Sequence, residues 1–219
     1  MSFRNRVDAG RKLARKLSSY QERDDVIVLG IPRGGARVAF EVAEALNVPL
    51  DVFLSHKLGV PGHEELAFGA VASGGVSVLD QRVVAGMGIS RFEIEQISGQ
   101  VRRELERRHR VYRGKVPALD VAGMTVVLVD DGVATGSSMR AAVEALRRLR
   151  PARIVVATPV APASTCRRLR DIADELVCVV VRDEFLAIGQ FYEDFSQVTD
   201  CEVTELLRRA RRRDFRKVA

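Results

Sequence analysis

Phe3, Val7, Gly10, Leu13, Ala14 and Leu17 recur at helical spacing opposite arginines and lysines, which predicts an amphipathic helix over residues 3–18. A different rhythm then takes over. Val26–Ile31 is an unbroken apolar run ending in Pro-Arg-Gly-Gly, after which Val38, Ala39, Val42, Ala43 and Leu46 return to helical spacing. This reads as strand, tight loop and helix. Leu50–Leu54 predicts the next strand, residues 55–75 a long polar loop rich in glycine, and Val76–Leu79 a short strand. Ser90 caps a helix running to about Arg113, with Glu93 completing a capping box and Phe92, Ile94, Ile97, Val101 and Leu105 marking its buried side. Thr125–Val129 is a β-branched strand, followed by an acidic glycine loop and a helix from about Ser137 to Leu149. Arg153–Thr158, Ala163–Ala173 and Leu176–Val181 then predict strand, helix and strand.

Strands alternating with helices of this length imply an α/β fold, a mostly parallel sheet with right-handed crossovers and helices on both faces. No repeat, low-complexity stretch or linker divides the chain, so residues 1–219 are expected to form a single domain with its core at about 22–182. From about Asp183 the rhythm fails. Phe185, Phe191, Tyr192 and Phe195 cluster near Gly189 before a basic helix, which suggests a small C-terminal cap at 183–219.

Composition narrows the class. With 47% hydrophobic residues the chain has an ordinary globular core, and its apolar runs fall far below the roughly 18–20 residues needed to cross a bilayer. Residues 1–10 lack an apolar signal core, so a cytoplasmic location is expected. Cys166, Cys178 and Cys201 form no close pair, and His56, His63 and His109 supply no ligand spacing, so reduced thiols and no dedicated metal site are expected. The net charge of +6 permits attraction to phosphates of any kind. Its excess gathers at Arg102, Arg103, Arg107, Arg108, Arg110 and Arg113, and again at Arg208, Arg209, Arg211, Arg212, Arg213, Arg216 and Lys217. Each cluster reads first as a solvated helix face, and nucleic-acid contact is the less favoured alternative.

The sharpest chemistry lies at Val126–Met139, Val-Val-Leu-Val-Asp-Asp-Gly-Val-Ala-Thr-Gly-Ser-Ser-Met. A loop leading from a strand into a helix N-terminus aims free backbone N–H groups at one spot, and Gly136 allows close approach. Thr135, Ser137 and Ser138 add hydroxyl donors, a cup suited to a phosphate dianion. Asp130 and Asp131 at the strand end are natural acceptors for two vicinal hydroxyls. The absence of a lysine after the second glycine excludes a Walker loop, and the Gly-x-Gly-x-x-Gly spacing is missing too.

This segment resembles the signature of the type I phosphoribosyltransferases: apolar residues, two acids, a short spacer and Thr-Gly-x-Thr, with Ser138 where threonine is usual. The resemblance implies that Asp130 and Asp131 hold the ribose hydroxyls of phosphoribosyl pyrophosphate while Ala134, Thr135, Gly136, Ser137 and Ser138 hold its 5-phosphate. Arg33, Gly34 and Gly35 then stand where the family grips pyrophosphate, in a loop that often contains a non-proline cis peptide, with Arg33–Gly34 the candidate bond. Residues 55–75 fall at the family's flexible lid, where Lys57, His63, Glu64 and Glu65 could meet pyrophosphate, its metal or the nucleophile. The cap looks like the hood of purine-type members, making Phe185, Phe191, Tyr192 and Glu193 candidates for a base pocket, although the aromatics could equally staple the cap to the sheet.

These readings imply a transferase that moves 5-phosphoribosyl to a nitrogen of a base, a purine somewhat favoured, with catalytic Asp130, Asp131, Arg33 and Lys57. Mg²⁺ would be held mainly through the substrate, with Asp130 and Asp131 as possible contacts. Family members commonly dimerise, so a homodimer is expected. The alternative is a non-catalytic sensor on the same fold that binds nucleic acid or protein through its arginine clusters.

Overall fold

The computed structural model of the chain describes residues 2–118 and 120–218, with the side chains of 64, 65, 74 and 213–218 outside the description. Helix α1 (Arg6–Lys16) precedes strand β1 (Val26–Gly30), helix α2 (Gly34–Leu46) and strand β2 (Leu50–Val52). An excursion follows, with strands β3 (Ser55–Val60), β4 (His63–Ala72) and β5 (Ser77–Leu79) and helices α3 (Gln81–Gly86) and α4 (Arg91–Arg113). The chain then rejoins the main sheet through β6 (Thr125–Val129), α5 (Ser137–Arg147), β7 (Arg153–Ala161), α6 (Ala163–Arg170) and β8 (Glu175–Val181), and ends in α7 (Asp200–Val218).

The apolar runs pair as the alternation of elements requires. The five-stranded sheet has the order β2-β1-β6-β7-β8 with every pair parallel. Because successive strand residues point to opposite faces, one run feeds two cores. Val26, Val28, Val127, Val129 and Val155 face a layer built by α1, α2, α4 and α7, whereas Ile27, Leu29, Val126, Leu128, Ile154 and Val156 face α5 and α6. Each fully buried aliphatic side chain contributes about 1.5–3 kcal/mol, so stability resides chiefly in these two layers.

Residues 55–75 are not a loop. Ser55–Val60 and His63–Ala72 pair antiparallel, with Ser55 opposite Ala72 and Val60 opposite His63, and β5 extends them into a second, three-stranded sheet, an arm on the main sheet. Leu58, Val60, Phe68 and Ala70 are buried at every second position, a period that the interspersed glycines obscure in the sequence. Helix α3 also escapes periodicity, since its short length buries no residue, and Asp80 starts it by accepting from the Arg82 and Val83 amides at 3.0 and 3.3 Å. The Ser90–Glu93 capping box is present, but Phe92 is 72% exposed because burial along α4 begins only at Ser98.

Arg113 corrects the solvated-face reading at the end of α4. It is buried, pairs with Asp51 at 2.9 Å and donates to Val52 O at 2.5 Å. The C-terminal segment closes on the N-terminus through Phe3 N to Phe191 O at 2.7 Å and Glu193 N to Phe3 O at 2.9 Å. Among the described residues no helix is long and apolar enough to cross a membrane.

Candidate functional site

The sheet order sets the site. After β1 the chain turns to α2 on one face, and after β6 it turns to α5 on the other, so a crevice opens between the carboxyl ends of these adjacent strands. Both sequence motifs converge there. A β-carbon on Gly35 would lie 2.9 Å from the Cα of Asp130, and one on Gly34 would lie 1.8 Å from Asp131 Oδ2. Glycine is required at both positions because the second motif fills the space.

The two acids are held differently. Asp131 is only 8% exposed, and its Oδ2 accepts from Arg6 Nε at 2.7 Å while its backbone carbonyl accepts from Tyr192 Oη at 2.5 Å. Asp130 is half-buried, and its Oδ1 accepts from the Asp131 amide at 2.8 Å. Desolvation raises the proton affinity of Asp130 well above the ordinary carboxylate range, and the neighbouring Asp131 charge raises it further. Burial likewise pushes the Tyr192 phenol up.

The loop beyond the acids is braced by residues that the motif does not contain. Val133 donates its amide to Val160 O at 2.9 Å, Thr165 Oγ1 donates to Ala134 O at 2.6 Å, and Arg168 Nη2 donates to Thr135 O at 3.0 Å. Gly136 has φ 81°, the left-handed conformation that favours glycine, and a β-carbon there would meet Thr165 Cγ2 at 3.0 Å. Thr135 and Ser137 share a hydroxyl contact of 3.2 Å, and Ser138 is exposed beside them. Among the described residues, Arg140 is the first in α5 whose amide bonds back to a carbonyl, that of Gly136 at 2.8 Å. The N–H groups of the preceding turn have no intrahelical acceptor and a positive dipole end behind them.

In the loop after β1 the cis peptide joins Pro32 to Arg33, one bond before the expected position. Arg33 already caps α2 with φ −92° and ψ −46°, so Gly34 and Gly35 belong to the helix and the turn falls earlier. Arg33 is exposed and, with Pro32, Arg107, Arg108, Tyr112 and Asp200, lines a cavity of about 380 Å³. Glu104 accepts from both Arg107 and Arg108 at 2.8 and 2.7 Å, and those bonds lower its carboxyl to about 2. Tyr112 Oη donates to Asp200 at 2.6 Å.

A family model for the phosphoribosyl transferase domain matches residues 3–196. The chain belongs to the phosphoribosyl transferase family. Proteins from two strains of Mycobacterium tuberculosis, MT0597 and Rv0571c, both provisionally named as phosphoribosyl transferases, are 41% identical over 210 residues. The alignment takes in 96% of this chain and 47% of theirs, so the chain spans about half the length of the curated relatives it matches. The crystal structure of TT1426 from Thermus thermophilus is 42% identical, covers 94% of this chain and 98% of its own, and superposes with a TM-score of 0.86. AQ2163 from Aquifex aeolicus, 11% identical over 92% of this chain and 84% of its own, shares the fold with a TM-score of 0.51.

The remaining candidate residues of this family member fall into two groups. Lys57 stands on the arm, not on a loop, and with Leu66, Asp80, Ser137, Arg140 and Glu144 lines a cleft of about 680 Å³ between the arm and α5. His63 is exposed where β4 begins, and the side chains of Glu64 and Glu65 lie outside the described residues. The cap aromatics act as staples. Phe191 and Tyr192 are buried with Phe3, Ala9, Val160 and Val180, and Tyr192 lies 5.3 and 4.9 Å from the rings of Phe3 and Phe195. Phe185 packs on Phe191 at 5.0 Å, and Glu193 is exposed. Besides Tyr192, whose hydroxyl bonds to Asp131 O, the cap residue that reaches the acidic loop is Ile188, whose Cγ2 would lie 2.3 Å from a β-carbon on Gly132.

Arg6, Thr165, Arg168, Arg107 and Arg108 were not singled out as site residues by the sequence motifs. Each lies on a helix whose polar face gives no spacing signal, and only the tertiary fold brings it to the crevice or its edge.

Proposed function

We propose that this chain transfers the 5-phosphoribosyl group of phosphoribosyl pyrophosphate to a nitrogen of a base and releases pyrophosphate. The observation that carries the proposal is the packing of Gly34 and Gly35 against Asp131 and Asp130, beside the open N-terminus of α5. A phosphate, a diol and a diphosphate can thereby be held along one crevice. The 5-phosphate would take the first-turn N–H groups of α5 and the hydroxyls of Thr135, Ser137 and Ser138. The ribose hydroxyls would donate to Asp130 and Asp131, and the diphosphate would lie on the loop at Pro32–Gly35, where the Arg33 guanidinium offsets its charge. As the bond from C1 to the diphosphate oxygen breaks, the base nitrogen forms its bond to C1 from the opposite face and loses a proton.

Among the described residues no cluster of three His, Cys, Asp or Glu side chains could cage a metal, and Arg6 already occupies one oxygen of Asp131. These residues fit a Mg²⁺ ion carried mainly by the oxygens of the donor and by water, with Asp130 and Asp131 able to add a contact. The ion would shield the diphosphate as it leaves. The cap at 183–219 reaches the acidic loop through Ile188 and Tyr192, and a flat base, with a purine first, is the acceptor to test. A nucleic-acid sensor is less well supported, since Arg113 is buried and Arg107, Arg108 and Arg208 spend their charge on Glu104 and Glu205.

The test is pyrophosphate release from the donor in the presence of Mg²⁺ and a panel of free bases. Release that depends on one base and disappears in Asp130→Asn/Asp131→Asn supports the transferase. Donor binding without release for any base would favour a sensor.

A further inference from the structure

Arg6 lies outside every motif that carries the proposed chemistry, yet it is buried against it. Its Nε donates to Asp131 Oδ2 at 2.7 Å, Nη1 donates to Ser196 O at 2.7 Å, and its guanidinium carbon lies 3.9 Å from the centre of the Phe195 ring. A β-carbon on Gly34 would stand 3.0 Å from the same Nε, so Arg6, Gly34 and Asp131 meet at one point. A guanidinium with only 9% of its side chain exposed has given up most of its hydration. Carboxylate, carbonyl and ring together compensate that loss, an arrangement that a planar fork can satisfy and a point charge cannot.

Asp131 is consequently held from two sides, by Arg6 on its carboxylate and by Tyr192 Oη on its backbone carbonyl. Besides Arg6, the side-chain group in hydrogen-bonding reach of the Asp131 carboxylate is the neighbouring Asp130 carboxyl, and the Arg6 bond takes Oδ2 and not Oδ1. We infer that Arg6 is a positioning residue for a vicinal sugar diol: by occupying Oδ2 it fixes the Asp131 carboxylate so that Oδ1 accepts from a ribose hydroxyl. Through Ser196 and Phe195 the same side chain ties the cap to that carboxylate, so the cap and the diol site are set by one contact. The inference rests on the phosphoribosyl reading of the crevice and adds to it a residue from the N-terminal helix.

The test compares two ligands, methyl ribofuranoside 5-phosphate and its 2,3-dideoxy counterpart, titrated calorimetrically into the wild-type chain, Arg6→Met and Arg6→Lys. If Arg6 acts through Asp131 on the diol, Arg6→Met lowers the preference for the diol ligand about tenfold, about 1.4 kcal/mol, and leaves affinity for the dideoxy ligand unchanged. Arg6→Lys, which keeps the charge but not the fork to Ser196, is expected to lose a few-fold of that preference. It decides the matter should the methionine variant fail to fold. A preference unchanged in both variants, or a fall of equal size for both ligands, overturns the inference and reduces Arg6 to a structural role. Tighter diol binding in Arg6→Met overturns it in the other direction, because Arg6 would then compete with the hydroxyl. A wild-type chain that binds neither ligand, or does not distinguish them, overturns the phosphoribosyl reading itself.

Discussion

A β-carbon placed on Gly34 would sit 1.8 Å from Asp131 Oδ2. The loop after β1 and the acid pair after β6, almost a hundred residues apart in sequence, are therefore one packed unit. Alanine at position 34 must displace either the loop or a carboxylate that Arg6 holds in place. Gly34→Ala is expected to destabilise the fold by about 1–3 kcal/mol, as overpacking does, and to weaken donor binding more than tenfold. Thermal unfolding and calorimetry on the same sample check both.

Thr165 braces the loop proposed to hold the 5-phosphate, from α6, through its 2.6 Å bond to Ala134 O. Thr165→Val keeps the shape and leaves that carbonyl without its partner, which should destabilise the loop by about 1–3 kcal/mol. The expected result is a several-fold loss of affinity for ribose 5-phosphate with the unfolding midpoint lowered by a few degrees. Unchanged affinity would remove Thr165 from the support of the loop.

Asp130 gives a dependence on pH. Burial and the Asp131 charge raise its proton affinity in the folded chain, with Arg6 acting against them and Tyr192 facing the same pair. Between the ordinary carboxylate range and the raised value the folded state binds more protons than the unfolded one, so this group's contribution to stability falls as pH rises through that window. Asp130→Asn removes the ionisation. It is expected to raise the unfolding temperature of the ligand-free chain at pH 7–8 and to lose that advantage towards pH 4. Melting curves across this range check it, and an advantage of constant size would contradict the assignment.

Arg113 and Asp51 form the other buried pair, with side chains 2% and 3% exposed at 2.9 Å. Removing one partner strands the other charge in the core beneath the arm. Asp51→Asn should destabilise the chain by about 3–5 kcal/mol in urea unfolding. A loss below about 1 kcal/mol would show that the pair is solvated.

Much of this was legible in the sequence, for identifiable reasons. Val26–Ile31 and Thr125–Val129 read as buried strands because nearly every residue in them is apolar, and Ser90 and Glu93 announce a helix start by local chemistry alone. The acid pair, Thr135 and Gly136 were readable as one turn between β6 and α5 because that turn, the proposed phosphate cup, is made by consecutive residues. The arm was misread as a loop since Gly59, Gly62 and Gly69 interrupt the alternation that Leu58, Val60, Phe68 and Ala70 carry. Tyr192 was a candidate for the base pocket through the cap's resemblance to a purine-type hood. Its burial against Phe3 depends on a bridge between the two ends of the chain, which no local pattern records. Arg6 and Arg113 read as surface cations for the same reason, because their carboxylate partners lie 125 and 62 residues away.

The central claim is that the crevice at Asp130–Ser138 binds the phosphoribosyl group. Calorimetric titration of phosphoribosyl pyrophosphate with Mg²⁺ into the wild-type chain and into Asp130→Asn/Asp131→Asn tests it most directly. We expect saturable binding to the wild type and a loss of at least a hundredfold, about 2.7 kcal/mol, in the folded double variant. Equal affinity in the two proteins would contradict the account.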